Sequence, residues 1–204
     1  VAPNQATLGP NTGCAVYVAM LEPVIRAFKK ELGITKPKIA LLVEKGKWAD
    51  TIFDYSKEVL PKMGCEIIGE WRPGFTATSM SAELSAIKNT GAHIIFQINA
   101  GPAGNILSKE WGELKIPAAL AGLGVESSKD THWVATNGLC GYSGSSDVIV
   151  DVIKTKKTKP FVTAFKKKFN KEPMYNSAAA YNAVYILKEA IEKTGSLQAD
   201  TLVP

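Results

Sequence analysis

The feature that most constrains the fold is a regular alternation of short apolar runs with helical patterns. Lys38–Val43 reads KIALLV, and comparable runs follow at residues 66–71, 93–98 and 118–121. Each run is apolar at nearly every position, as expected of a strand whose two faces are both covered. Between the runs, apolar residues recur at helical spacing. The alternation predicts an α/β fold with a doubly wound parallel sheet.

The same pattern gives approximate helix limits, because capping residues and glycines bound each helical stretch. Four helices are predicted: from a cap at Thr12 to about Leu32, from a cap at Asp50 to Gly64, from a cap at Thr78 or Ser79 to Gly91, and from the loop Ala100–Gly104 to about Leu114.

The alternation ends after Gly124. Trp133–Tyr142 is predicted to be extended, and two helices without an intervening strand follow it. The first is expected to bury three aromatic rings at four-residue spacing, and the second covers about Ser177–Lys193; the rings are Phe161, Phe165 and Phe169. Two such helices do not extend a βαβ sheet. We therefore expect one lobe over residues 1–142 and a separate part over residues 143–204.

Composition excludes several classes of protein. A chain of 204 residues can form one core and pieces of a second. Its net charge of +5 comes from dispersed lysines, and the cluster Lys166–Lys168 is typical of a solvated helix face, so no nucleic-acid partner is expected. The apolar runs are too short to span a bilayer.

The cysteines and the chain ends give further expectations. Cys14, Cys65 and Cys140 form no metal-binding pattern, and one disulfide among them is possible but not required. The chain begins at Val1 without a signal peptide and ends in an apolar stub, so we interpret it as a fragment or a trimmed mature chain.

Enzyme motifs are missing from the sequence. It contains no G-x-G-x-x-G after a strand and no nucleotide P-loop, and Gly141–Ser145 lacks the final glycine of a nucleophile elbow. His93 opens an apolar strand and is expected to be structural, while His132 is expected on the surface. We predict neither catalysis nor a cofactor or metal. In open α/β sheets, ligands bind at the carboxyl ends of strands, here loops 44–50, 99–104 and 122–126.

Several segments resemble one family in both order and spacing. The segments are Lys38–Trp48, Gly64–Glu70, Pro73–Thr78, Lys171–Tyr175, Ala180–Val184 and Ala190–Lys193. They are similar to branched-chain amino acid binding proteins, which have the type I periplasmic binding fold. The resemblance implies two lobes, with residues 1–142 in the second lobe, residues 143–204 returning to the first, and the remaining first lobe before Val1.

The resemblance also implies a function. A small-molecule ligand would bind between the lobes and be delivered to the membrane permease of an ABC-type importer. The location would be periplasmic or extracellular, with a membrane anchor possible. The alternative is the ligand-sensing domain of a receptor or regulator, because the same fold serves both roles.

Candidate ligand-binding residues follow from the loops and the resemblance together: Lys45, Trp48, Asn99, Ala100, Gly101, Leu123, Gly124 and Glu126. Trp48 either lines the pocket or packs over its helix start. Ala100 and Gly101 stand where the family often has aromatic rings, which would leave space for ligand. The family's acid for a ligand ammonium would fall at Leu123 or Gly124, with Glu126 displaced. The expected ligand is a small organic molecule, either an amino acid or a carboxylate-bearing compound. These departures count against an amino acid and favour a ligand bulkier or less basic than a small aliphatic amino acid.

Overall fold

The computed structural model describes residues 17–145 and 155–202. The cap predicted at Thr12 and the thiol of Cys14 lie outside these residues. The chain divides into two compact units, Val1–Ser146 and Asp147–Pro204, which are treated separately below.

The first unit contains a five-stranded parallel sheet. Its strands are β1 (Lys38–Val43), β2 (Glu66–Trp71), β3 (Ile94–Asn99), β4 (Ala119–Gly124) and the short β5 (Gly144–Ser145). Their order across the sheet is β2-β1-β3-β4-β5, and every pair of neighbours is parallel. The predicted α/β class and the first four predicted strands are therefore confirmed.

Helices connect the strands. They are α1 (Glu22–Glu31), α2 (Lys47–Lys62), α3 (Ser81–Lys88), α4 (Ala103–Glu113) and the single-turn α5 (His132–Ala135), with 3₁₀ helices at Val125–Ser128 and Leu139–Tyr142. In the described part of the chain, no helix is both long and apolar enough to cross a membrane.

Two hydrophobic cores, one on each face of the sheet, explain why β1 is apolar from Ile39 to Val43. In β1, Ile39, Leu41 and Val43 pack with α1 and α2, whereas Ala40 and Leu42 pack with α3 and α4. All five side chains are at most 1% exposed. Successive residues of a strand point to opposite faces, so a strand covered on both sides is apolar at most positions.

The capping residue predicted for α2 is wrong. The helix begins at Lys47, and its N-terminal flanking residue is the extended Gly46. The Asp50 carboxylate instead accepts a hydrogen bond from Arg72 Nη2 at 2.5 Å. A long-range ion pair therefore takes the oxygen that would otherwise cap the helix, and the helix starts one turn earlier.

The prediction of an extended segment over Trp133–Tyr142 is also wrong. This stretch forms α5, a turn and a 3₁₀ helix. Thr136 Oγ1 donates a hydrogen bond to the carbonyl of His132 at 2.9 Å. The chain then turns at Asn137 and Gly138, which have positive φ angles of 53° and 74°. Trp133 and Val134 suggested a strand, yet both side chains are exposed and contribute nothing to a core.

The second unit contains α6 (Thr158–Phe169), α7 (Tyr175–Thr194) and α8 (Ala199–Leu202). The three phenylalanines of α6 are not buried, contrary to expectation. They stack on one another and on α7, with centroids 4.6 Å apart for both Phe165–Phe169 and Phe161–Tyr181. Offset aromatic packing of this kind holds two helices together without enclosing the rings.

Two cysteines fall within the described residues, and both are free thiols. Cys65 is buried in the core beside α1, and this burial raises the pKa of its thiol. Within the part of the chain that the structure describes, no disulfide joins Cys65 to Cys140.

Candidate functional site

The predicted ligand loops meet at one edge of the sheet. Val43 at the end of β1 lies beside Ile98 of β3, and Asn99 at the end of β3 lies beside Gly124 of β4. The strand order reverses between β1 and β3, since β2 lies on one side of this pair and β4 on the other. In open α/β sheets, such a reversal leaves a crevice at the carboxyl ends, which is where ligands bind.

A buried acid, Glu44, joins the loops on the two sides of this reversal. Its side chain is 2% exposed. Oε2 accepts hydrogen bonds from the amides of Ala100 at 3.1 Å and Gly101 at 2.8 Å, and Oε1 accepts from Trp48 Nε1 at 3.1 Å. One carboxylate therefore fixes both the loop before α4 and the first turn of α2.

Trp48 presents its ring at this edge. The side chain is 42% exposed even though its N–H is bonded to Glu44, and the edge of the indole packs against Gly46. Lys45 and Lys47 are exposed on either side of Gly46, and the Lys45 amide is bonded to the carbonyl of Pro73 at 2.7 Å. The ring is thus held in place while much of its surface stays accessible.

A third loop, between β2 and α3, closes over the same point. Arg72 donates hydrogen bonds to the carbonyl oxygens of Val43 at 2.9 Å and Glu44 at 3.1 Å. The backbone of Phe75 then lies against Gly101, so that a β-carbon on Gly101 would be 2.4 Å from the Phe75 oxygen. The space expected to be free beside Gly101 is therefore filled by Phe75 and by the Glu44 carboxylate.

Asn99 belongs to a buried amide pair. Its Nδ2 donates to Gln97 Oε1 at 2.9 Å, and both side chains are at most 4% exposed. The Asn99 oxygen lies against Gly104 in the first turn of α4, where a β-carbon would be only 2.3 Å away. This packing sets the start of α4 close to the end of β3.

Glu126 is buried in a polar cluster that continues from this pair. One carboxylate oxygen accepts from Asn105 Nδ2 at 3.0 Å, and the other pairs with Lys129. The oxygen of Asn105 then lies 2.7 Å from His132 Nδ1. Since the Asn105 amide group donates to Glu126, its oxygen faces His132, and Nδ1 carries the proton while Nε2 is an acceptor.

His132 was expected on the surface and is instead 6% exposed, so that prediction is wrong. Its hydrogen bond to Asn105 draws it against α4. Burial lowers the pKa of His132 below its ordinary value, and the nearby charge of Glu126 opposes this effect. The folded protein therefore holds the ring neutral more strongly than the unfolded chain does.

This difference predicts a pH dependence of stability. As the pH falls through about 6.5 toward the lower folded pKa of His132, the unfolded chain binds a proton that the folded protein does not, so the free energy of unfolding should fall. His132→Gln should reduce this slope between pH 7.5 and 5.5, measured by urea unfolding of the intact protein. Equal slopes for His132→Gln and the unsubstituted protein would contradict the prediction.

Of the remaining predicted site residues, some are buried in the core and others lie at the sheet edge. Leu123 is buried in the core against the face covered by α1 and α2, and Gly124 is buried at the end of β4. Ala100 is partly buried and contributes its amide to Glu44. The structure thus brings Lys45, Trp48, Asn99, Ala100, Gly101 and Gly124 to one edge, with Glu126 just beyond it.

The sequence analysis included Glu44 in loop 44–50 but not among the candidate ligand-binding residues, and it missed Arg72 and Phe75 as parts of this edge. An acid directly after a continuously apolar strand is a signal that could have identified Glu44, because such a position is buried at the strand end. No comparable pattern marks Arg72 or Phe75, since their contacts depend on how the β2–α3 loop folds back over β1.

Comparisons with known proteins agree with this architecture. The family model described as "Periplasmic binding protein" matches residues 6–204. No curated protein sequence resembles the chain closely enough to count as a match. Among solved structures, a leucine-binding protein of Thermotoga maritima is 16% identical with a TM-score of 0.71, and the match covers 91% of this chain and 53% of that one.

Two further structures have the same fold. A periplasmic binding protein of Burkholderia mallei is 21% identical with a TM-score of 0.72, and the match covers 91% of this chain and 48% of that one. A solute-binding protein of an ABC transporter of Rhodopseudomonas palustris, in complex with p-hydroxybenzoic acid, is 20% identical with a TM-score of 0.71. The match covers 91% of this chain and 51% of that one. The chain thus spans about half the length of these proteins. The match over nearly every residue shows that this chain belongs to the periplasmic binding protein family.

Proposed function

We propose that this chain forms one lobe, and the connection to a second, of an extracytoplasmic solute-binding protein that delivers a small organic acid to the permease of an ABC importer. The observation that carries the proposal is the exposed, fixed ring of Trp48 at the strand-order reversal. Because the ring is already fixed in the free protein, a ligand that packs on it does not have to order this side chain, and binding costs less conformational entropy.

Residues 1–142 would form the second lobe, and residues 143–204 would return to the first. The exposed face of α7 supports this arrangement. Val184, Ile186 and Leu187 are 51–68% exposed there. Several large apolar side chains exposed on one helix are typical of a surface that a partner covers, and the similar structures are about twice as long as this chain.

The acids at the edge are already bonded within the protein, which favours an anionic ligand over an amine. A buried ammonium requires a carboxylate partner, because an unpaired buried charge is costly. Glu44, Asp50 and Glu126 are the acids that the described residues place near this edge, and each is already bonded within the protein. Lys45 and Lys47 are exposed beside the Trp48 ring and supply positive charge. We therefore propose a ligand that carries a carboxylate and an apolar or aromatic body.

Identification of the bound ligand is the direct test. The two-lobed protein, purified without added ligand and then mildly denatured, should release one small organic acid detectable by mass spectrometry. Thermal shift with p-hydroxybenzoic acid and with leucine, the ligands named for two of the similar structures, should favour the aromatic acid. If the protein releases no compound and shows no thermal shift with any acid of a broad panel, the proposal is contradicted.

The isolated 204-residue chain provides a second measurement. It should bind the same ligand at least about a hundredfold more weakly, because the contacts of the other lobe are missing. The control is the two-lobed protein at the same pH and salt concentration. Equal affinity in the two forms would show that one lobe suffices and would contradict the two-lobe arrangement.

A further inference from the structure

The carboxylate of Glu44 has an unusual setting for a buried charge. At 2% exposure it is removed from water. Its hydrogen-bond partners among the described residues are three neutral N–H groups: two backbone amides and the indole of Trp48. The nearest guanidinium, that of Arg72, bonds to the backbone oxygen of Glu44 and to Asp50. Charge-assisted hydrogen bonds from oriented donors therefore hold this carboxylate.

Those donors form the place where an external anion would otherwise bind. The amides of Ala100 and Gly101 are consecutive and lie immediately before α4, a helix of 11 residues. Free amides and the helix dipole at such a position attract negative groups. Glu44 Oε2 accepts from both amides, so the protein's own side chain occupies the anion position at the strand-order reversal.

The other oxygen of the same carboxylate fixes the ring. Oε1 accepts from Trp48 Nε1, and the ring stays 42% exposed. The two bonds are coupled because one rigid carboxylate makes both. A shift of the Ala100–Gly101 loop would therefore change the orientation of the indole.

We propose that Glu44 is a positioning residue that determines which ligands this edge accepts. By filling the anion position before α4 and fixing the Trp48 indole, it makes the edge recognise the face of a ligand ring, and it directs the ligand's acid group to other contacts. This inference rests on the proposed function, since it concerns the same ligand.

Glu44→Gln in the two-lobed protein tests the proposal with almost no change in shape. A glutamine has one acceptor oxygen, so either the two loop amides or the indole N–H faces an NH₂ group and loses its bond. Ligand affinity, measured by calorimetry, should fall about tenfold. The matched control is Glu58→Gln on α2, whose carboxylate is exposed and pairs with Lys62; it should leave the affinity unchanged.

A spectroscopic measurement separates positioning from general destabilisation. In the ¹⁵N-labelled protein, the indole proton resonance of Trp48, assigned by its absence in Trp48→Phe, should move upfield in Glu44→Gln. It should not move in Glu58→Gln. A purely structural role for Glu44 would lower stability without a selective change at this resonance.

Glu44→Ala provides a second test that does not depend on the glutamine variant. Truncation at the β-carbon leaves three donors around a space the size of acetate. Added acetate should therefore raise the thermal midpoint of Glu44→Ala and restore part of its ligand affinity, with no such effect on the unsubstituted protein.

The outcomes distinguish this inference from the proposed function. Unchanged affinity and unchanged ligand preference in Glu44→Gln, or no response of Glu44→Ala to acetate, would overturn the role of Glu44 while ligand binding by the unsubstituted protein stands. Failure of the unsubstituted protein to bind any organic acid would overturn the proposed function and this inference with it.

Discussion

Gly101→Ala is expected to lower the free energy of unfolding by about 1–3 kcal/mol, the usual cost of overpacking a close-packed site, and to weaken ligand binding in the two-lobed protein. The added β-carbon would lie 2.4 Å from the backbone oxygen of Phe75 and 3.0 Å from Glu44 Oε2. The first neighbour is main chain and cannot rotate away, so the β2–α3 loop must move. Urea unfolding measures the stability, and calorimetry measures the affinity.

Gly74→Ala is a matched control for this substitution. Gly74 lies in the loop that contacts Gly101, but its β-carbon would meet no described residue beyond its two chain neighbours within 4 Å, and its φ is not in the positive range. The same chemical change should therefore alter stability by no more than about 0.5 kcal/mol. Similar effects at the two glycines would show that the Phe75–Gly101 contact is not tight in the protein.

Trp48→Ala is expected to reduce ligand affinity about thirtyfold, which corresponds to about 2 kcal/mol, the level typical of an aromatic anchor in a binding site. It should also lower the free energy of unfolding by about 1–3 kcal/mol, because the buried Glu44 carboxylate loses one of its three N–H donors. Trp48→Phe keeps an aromatic face and loses the N–H bond to Glu44, so its affinity should lie between those of Trp48→Ala and the unsubstituted protein. Calorimetry with p-hydroxybenzoic acid measures all three proteins.

Trp133→Ala is the control for loss of an exposed indole. Trp133 is 61% exposed on α5 and packs on Gly138 and Gly141, away from the residues that surround Trp48. Its removal should leave the affinity unchanged. Thermal shifts that are as large with leucine as with aromatic acids, and that Trp48→Ala does not alter, would mean that Trp48 only packs over its helix.

The division at Val1–Ser146 and Asp147–Pro204 lies close to the lobe boundary proposed at residue 142. The assignment of these parts to two lobes stays a prediction. It concerns contacts with residues that would belong to the other lobe, and the exposed apolar face of α7 is the surface where those contacts are expected.

The sequence by itself determined the sheet and its covering helices. In the strand Lys38–Val43, the five positions from Ile39 onward are apolar because both faces are covered, and this local pattern needs no knowledge of distant residues. It also predicted that loops 44–50, 99–104 and 122–126 meet at one edge, since parallel strands carry their carboxyl ends to the same side.

Only the tertiary structure decided where the side chains of that edge go. Glu44 reaches residues more than 50 positions away, Asp50 pairs with Arg72 instead of capping its helix, and His132 is drawn inward by Asn105. Each choice depends on a partner that lies far away in the chain. A polar side chain pairs with the donor or acceptor that folding brings within about 3 Å, and short-range sequence patterns carry no information about that distance.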